Sequence, residues 1–303
     1  MTSRVISVVG ATATGKSALA LALAHELGAE IVNADSMQLY RGMDIGTAKL
    51  PVAEREGIPH HLLDIWPIEY AASVAEYQST ARDVIATLQH PALLVGGSGL
   101  YVRAVLDDLD FPGTDPAIRA RLEHELAERG EAALRERLTA LDPMASMAIA
   151  NGNGRRIVRA LEVIELTGQP FSATLPSYDQ PHYADSVQIG LQLDPETLDQ
   201  RIDARVERML QAGLLEEVRT LAEQGLREAI TASRALGYRE LLDHLDGHHP
   251  LPQAAMLIAL NTRRFARRQQ KWFRRDPRIH WIDATLPLEI QRGQALAALT
   301  LES

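Results

Sequence analysis

The chain has 303 residues, 46% of them hydrophobic, and a formal net charge of −9. It can bury one large core, or one core with a smaller appended domain, and its acidity argues against generic nucleic-acid affinity. It holds no cysteine, which excludes disulfides, thiolate nucleophiles and cysteine-ligated zinc, and no apolar run approaches the roughly 20 residues of a membrane span.

The N-terminal MTSRVISVVG lacks a cleavage pattern, so a cytoplasmic chain without a membrane partner is expected. Residues 5–9 (VISVV) predict a short apolar strand, and 17–27 (SALALALAHEL) predict a helix. A second strand is predicted at 30–34 (EIVNA) and a third at 92–95 (ALLV), after the His90-Pro91 break. Strands alternating with helices predict an α/β fold with a parallel sheet flanked by helices. The pattern changes after Phe111-Pro112-Gly113. From Asp115 to about Thr167 the sequence reads as helices only: DPAIRARLEHELAER, EAALRERLTAL and, after Asn151-Gly152-Asn153-Gly154, RRIVRALEVIEL. An inserted all-helical domain at 112–181 is expected, with proline- and glycine-rich joints at 111–114 and 167–181, dividing a core formed by 1–111 and 182–303. Residues 187–193 resume a strand, 194–211 and 213–223 read as helices, 251–275 as a long basic helix, and 278–283 (RIHWID) as a last strand. There is no repeat and no low-complexity tract.

Behind the first strand stands GATATGKS: Gly10, Ala11, Thr12, Ala13, Thr14, Gly15, Lys16 and Ser17. Glycine, four residues, then Gly-Lys-Ser, between a strand and a helix, is the P-loop. Its backbone N–H groups turn toward phosphate, Lys16 adds a point charge, and the Ser17 hydroxyl is placed to ligate Mg²⁺. Alone, the loop would suit a kinase, a motor ATPase or an enzyme that discards diphosphate. Asp35 ends the second strand and should face the same site, because ligands of open α/β sheets bind outside the carboxyl ends of the strands; the plainer alternative is an N-cap or turn aspartate. The third strand ends in Gly96-Gly97-Ser98-Gly99, where glycines allow close approach and Ser98 offers a hydroxyl. A motor ATPase would end a strand here in Asp or Glu to hold Mg²⁺; ALLVGGSG has no acid, which leaves Asp35 as the prominent carboxylate.

Three arginine groups are singled out. Arg155, Arg156 and Arg159 crowd the first turns of a helix in the insertion, with an Arg159–Glu162 ion pair as the plain alternative. Arg201, Arg205 and Arg208 recur at helical spacing, and one of them could close over a diphosphate. Between Arg263 and Arg278 the chain packs Arg263, Arg264, Arg267, Arg268, Lys271, Arg274, Arg275 and Arg278 against the single acid Asp276. That density suggests a localised anionic partner, or else a solvated helix face. The paired histidines His60-His61 and His248-His249 lack metal spacing and are assigned no zinc.

Taken together, GATATGKS, NADSMQLYRGMDIGTAK, GGSGLY, RRIVRALEV and NTRRFARRQQKWFR resemble the tRNA dimethylallyltransferases (tRNA isopentenyltransferases), over about Val5 to Arg275. The segment from Asp35 to Lys49 is far more specific than the P-loop. The resemblance implies transfer of a dimethylallyl group from dimethylallyl diphosphate to N6 of the adenine 3′ of the anticodon, position 37 of tRNA, with release of diphosphate and with Mg²⁺ as cofactor. By the same resemblance Asp35 is the general base, Lys16 and Ser17 hold diphosphate and Mg²⁺, and Arg205 is the diphosphate arginine, with Arg201 and Arg208 close in register. Asp35, Ser36, Met37 and Gln38, and Arg155, Arg156, Ile157, Val158 and Arg159, match segments that contact tRNA. Ser98 stands where the family usually has threonine; it keeps the hydroxyl, so the resemblance implies that its contact with tRNA is retained. The approach to RRIVRALEV is ANGNG, where the family is richer in proline and aspartate. Arg263, Arg267, Arg268 and Lys271 would then grip phosphates of the anticodon stem, and a monomer is expected. The alternatives are a P-loop small-molecule kinase, which would consume ATP; a prenyltransferase acting on free adenine nucleotide; and a non-catalytic RNA-binding P-loop protein, which would leave the RNA unmodified.

Overall fold

The structure, a computed structural model, describes residues 4–174 and 181–301. In chain order the elements are β1 (Val5–Gly10), α1 (Lys16–Leu27), β2 (Glu30–Asn33), β3 (His60–His61), α2 (Val74–Thr87), β4 (Ala92–Gly96) and α3 (Gly99–Leu106). They continue with α4 (Pro116–Leu141), α5 (Pro143–Ala148), α6 (Gly154–Thr167), β5 (Val187–Gln192), α7 (Pro195–Gln211) and α8 (Leu214–Glu223). The last are α9 (Tyr238–Leu245), α10 (Leu251–Phe273), β6 (Ile279–Asp283) and α11 (Leu288–Leu301). The chain divides into two compact units, Met1–Leu106 with Pro181–Ser303, and Asp107–Gln180. The division falls before Asp107 rather than at Pro112, and residues 175–180 of the 167–181 joint lie outside the described residues.

In the first unit all strands run parallel in the order β3-β2-β4-β1-β5-β6. β1 lies between β4 and β5, and every one of its residues is buried, which is why VISVVG is apolar almost throughout rather than alternating. Its side chains still alternate between two cores. Val5 and Val9 join Val32, Tyr77, Val102, Val218 and Leu241 on one face, supplied by β2, α2, α3, α8 and α9. Ile6 and Val8 join Leu19, Leu23, Ile189, Ile202 and Leu299 on the other, supplied by α1, β5, α7 and α11. The basic helix α10 serves both, with Ile258 and Phe273 in the first core and Ala266 in the second. β3, α2, α3, α9 and α11 have no counterpart in the sequence reading; β3 is only two residues long, too short to show a period.

The second unit is helical, with a core built around Leu122, Leu134, Leu138, Ile157 and Leu161. Asp115 caps α4 by accepting from the N–H groups of Ala117 and Ile118, and Pro116 occupies the first turn, where no N–H is needed. Gly130, at φ 75°, kinks α4 where two helices meet. The unusual ANGNG approach has a local purpose: Asn153 caps α6 by accepting from Arg156 N–H, and Gly152 takes a positive φ of 80°.

Candidate functional site

The loops leaving the carboxyl ends of the adjacent strands β2, β4 and β1 meet in the first unit, where the sheet topology predicts a ligand. Gly10 takes φ 143°, and a Cβ there would sit 2.6 Å from the Leu191 carbonyl oxygen, so only glycine turns out of β1 at this point. Gly15, at φ 94°, caps α1. The Thr14 hydroxyl turns inward to the Ala11 carbonyl at 2.9 Å, and Lys16 Nζ donates to the same oxygen at 2.7 Å. Gly10, buried Ala11 and Thr14 therefore shape the loop from behind, whereas Thr12, Ala13, Gly15, Lys16 and Ser17 line a cavity of about 170 Å³. The exposed Ser17 hydroxyl makes no hydrogen bond among the described residues.

Asp35 is fixed through its backbone. Asn33 Oδ1 accepts from Asp35 N–H at 2.9 Å and Asn33 Nδ2 donates to the Asp35 carbonyl at 3.0 Å. Asp35 Oδ1 accepts from Met37 N–H at 3.0 Å, and among the described residues Oδ2 makes no hydrogen bond. The segment that follows is held just as firmly. Buried Lys49 donates to the Tyr40 carbonyl, Asp44 and Asp64, while Glu217 accepts from the N–H groups of Asp44, Ile45 and Gly46 and from the Tyr238 hydroxyl. Gly46 is required beneath Tyr238, since a Cβ would lie 2.4 Å from its ring. These ties bring Gly46, Thr47 and Gln38 to the cavity walls, and Gln38 Nε2 donates to the Thr47 carbonyl at 3.0 Å.

A second cavity, of about 320 Å³, adjoins the first and shares Thr12, Asp35, Thr47 and Arg205 with it. Its walls carry Met37, Ile202, Val206, Met209, Leu214, Leu236, Ile258 and Phe265, with Ser98, Arg234 and Arg268 among them. The polar loop on one side and this apolar space on the other suit a ligand with an anionic head and an apolar tail. Ser98 Oγ accepts from Ser36 N–H at 3.2 Å, fastening the turn after β4 to the Asp35 loop. The glycines around it are set by contact: a Cβ on Gly96 would meet the Ala34 carbonyl at 2.3 Å, and one on Gly99 the Trp272 ring at 2.1 Å.

The structure separates the candidate arginines. Arg205 lines both cavities, faces Asp35 electrostatically, and makes no hydrogen bond or ion pair among the described residues. Burial pulls its guanidinium below the ordinary range, with Asp35 opposing and Arg208 assisting. Arg201 instead donates to the Ala284 carbonyl, and Arg208 is exposed outside either lining. Desolvation pulls Lys16 from 10.5 down to about 8, with Asp35 opposing and Arg205 assisting. Lys16 and Arg205 face the single carboxylate of Asp35, so the two cavities carry an excess of positive charge that suits an anion.

Other expectations are corrected. Ile157 and Val158 belong to the core of the second unit, so their side chains cannot face a partner. Arg159 is committed to Glu162 and to the Pro112 and Gly113 carbonyls, the structural alternative its spacing allowed. Glu162 is fully buried; burial alone would raise its pKa, but Arg119, Arg159 and Asp115 N–H hold it below the usual range. Arg155 and Arg156 remain exposed on α6. On α10, Arg263 pairs with Asp203 and Arg267 with Asp199, tying the helix to α7, while Arg268 lies over the Phe265 ring and Lys271 is exposed. Thr47, Phe265 and Gln269 line the site from within NADSMQLYRGMDIGTAK and NTRRFARRQQKWFR without having been singled out there, and Arg234 lines it from outside every quoted motif.

Among the described residues no group of three or more His, Asp or Glu could cage a metal, and no helix is long and apolar enough to cross a membrane. Residues 38–276 match the family of IPP transferases. The chain is 62% identical over 284 residues to the tRNA dimethylallyltransferase of Salinispora arenicola, a match covering 92% of this chain and 82% of that one. Its fold is similar to the crystal structure of the full-length tRNA isopentenylpyrophosphate transferase from Bacillus halodurans, with a TM-score of 0.70, 37% identity and 99% of each chain covered. It is also similar to a eukaryotic dimethylallyltransferase solved in action on tRNA, with a TM-score of 0.80, 27% identity, and 93% of this chain and 74% of that one covered.

Proposed function

This chain belongs to the IPP transferase family, and from that premise we propose how its residues carry out the transfer. It is an enzyme that transfers a dimethylallyl group to a tRNA adenine. The donor is dimethylallyl diphosphate, the acceptor atom is N6 of the adenine 3′ of the anticodon, at position 37, and diphosphate is the leaving group. One observation carries this reading: Asp35 and Arg205 stand at the junction of a small anion-binding cavity and a larger apolar one.

Diphosphate lies against Thr12, Ala13, Gly15 and the start of α1, where backbone N–H groups and the helix dipole favour anions. Lys16 exchanges the Ala11 carbonyl for phosphate oxygens, and Arg205 finds the partner it otherwise lacks. The five-carbon chain and the flat base occupy the apolar cavity. The adenine must leave its stack to enter, at a cost of about a few kcal/mol. An exocyclic amine is a weak nucleophile because its lone pair is delocalised into the ring. As its nitrogen attacks the donor's first carbon, the carbon–oxygen bond breaks and its electron pair leaves with diphosphate; the N6 proton passes to Asp35, whose Oδ2 is uncommitted. Such a base acts within about 2.6–3.2 Å. Charge developing on the leaving group is met by donors already in place.

Mg²⁺ fits the donor set in its usual manner, through a hydroxyl, waters and substrate phosphates rather than a protein cage. Ser17 would hold it, and when bound it supplies positive charge to the leaving diphosphate. Exposed Arg155 and Arg156 on α6, and Arg268 and Lys271 on α10, contact RNA phosphates. The test is incubation with tRNA and dimethylallyl diphosphate followed by mass analysis of nucleosides. A prenylated adenosine supports the reading, and unmodified tRNA overturns it.

A further inference from the structure

We propose that Gln269 is a positioning residue for the transfer, holding the donor loop in register with the loop that carries Asp35. The proposal rests on the prenyl-transfer reading above. Gln269 follows Arg268 in the basic stretch of α10, yet its side chain turns inward and is only 6% exposed. Oε1 accepts from Thr12 N–H at 2.9 Å, and Nε2 donates to the Gly97 carbonyl at 2.8 Å. Only this orientation of the amide works, because the flipped one would set N–H against N–H and oxygen against oxygen.

The two partners belong to different halves of the chemistry. Thr12 lies in the P-loop and lines both cavities. Gly97 precedes Ser98, whose hydroxyl oxygen accepts from Ser36 N–H beside Asp35. One amide therefore spans from the loop that would hold the donor to the turn that fastens the general base, across sequence separations of 257 and 172 residues. A Cβ on Gly97 would lie 2.4 Å from Nε2, so glycine is what lets the amide come this close. Transfer needs the donor carbon and the acceptor nitrogen about 3–3.5 Å apart, and a misplacement of about 1 Å costs about 10²-fold in rate. No other side chain among the described residues hydrogen-bonds to both the P-loop and this turn.

Gln269→Glu and Gln269→Leu test the proposal. A protonated glutamic acid reproduces the amide's pattern, its carbonyl accepting from Thr12 and its hydroxyl donating to Gly97. A carboxylate instead sets charge against the Gly97 carbonyl. Lys16, Asp35 and Arg205 face the same cavity, and Arg268 precedes Gln269 on its own helix; comparison with wild type at each pH cancels their titration. From about pH 8 to about pH 5.5 the single-turnover rate of the Glu variant, relative to wild type, should climb about tenfold or more. The Leu variant should fall about 10²-fold at every pH, with the Kd for tRNA and for inorganic diphosphate changed by less than about threefold. A flat ratio for the Glu variant, or a Leu variant within about threefold of the wild-type rate, would overturn the proposal. Wild-type protein that forms no prenylated adenosine would instead overturn the reading beneath it, and the two failures are read in the same assay.

Discussion

Replacing Lys16 with methionine should stabilise the ligand-free protein while removing its response to diphosphate. Desolvation holds the Lys16 ammonium at about 8 instead of 10.5, against the pull of Asp35 and with the help of Arg205. At about 1.4 kcal/mol per pH unit, keeping that charge costs the folded chain at most about 3 kcal/mol. Partial solvent exposure screens the cost, and about 1–2 kcal/mol is expected. Below pH 8 the group is charged in folded and unfolded chains alike, and the cost is felt in full. Between 8 and 10.5 the folded chain has shed a proton that the unfolded chain retains, so stability rises with pH. The advantage of Lys16→Met is therefore largest at neutral pH and fades as pH approaches 10.5. Methionine keeps an unbranched stem in place, and the Ala11 carbonyl still accepts from the Thr14 hydroxyl at 2.9 Å. Urea unfolding of both proteins from neutral to alkaline pH measures the gap, and diphosphate should raise the midpoint of wild type only. A variant less stable than wild type at neutral pH, or a gap indifferent to pH, would refute the reasoning.

Two further predictions separate residues that look alike in sequence. Arg205→Ala should lose about 2.7–4 kcal/mol of transition-state stabilisation, a drop of about 10²–10³ in single-turnover rate, while Arg201→Ala and Arg208→Ala stay within about threefold; equal losses in all three would remove Arg205 from the diphosphate. Replacing both Arg268 and Lys271 with alanine should flatten the dependence of log K for tRNA on log salt by about 1.4–1.8, the slope of two phosphate contacts. Arg263→Ala should change it less, because that charge already faces Asp203; the reverse order would place the RNA elsewhere.

Local pattern made much of the fold legible. The run 5–9, the helix-forming 17–27 and the basic 251–275 each carry their period within one segment, and they stand as β1, α1 and α10 within a residue or two. The P-loop, Asp35 and Ser98 were legible for the same reason: short-range geometry at strand ends. Contacts across the chain were not. Nothing near Arg263 or Arg267 announces Asp203 and Asp199, which arrive from α7. Nothing near Gln269 announces Thr12 or Gly97, and in RRQQKWF it reads as one more polar residue of a basic helix. Ile157 and Val158 enter the expected interface only as part of the family segment from Arg155 to Arg159, although apolar residues amid RRIVRAL are better read as the buried stripe of an amphipathic helix. The apolar cavity is assembled from the P-loop, the Asp35 loop, the turn after β4, α7, the start of α8, the segment before α9, and α10, and no single stretch encodes it.

The central claim is that one cradle for diphosphate and one carboxylate, Asp35, together place a dimethylallyl group on a tRNA adenine. Wild-type protein and Asp35→Asn, each incubated with tRNA, Mg²⁺ and dimethylallyl diphosphate, put it to the most direct test by nucleoside mass analysis and parallel measurement of tRNA affinity. Wild type should yield adenosine carrying one dimethylallyl group on N6, beside the anticodon, with one diphosphate released per group transferred. Asp35→Asn should transfer about 10²–10⁴-fold more slowly while binding tRNA within a few-fold of wild type. Unmodified tRNA with wild type, or an asparagine variant as fast as wild type, would contradict the account.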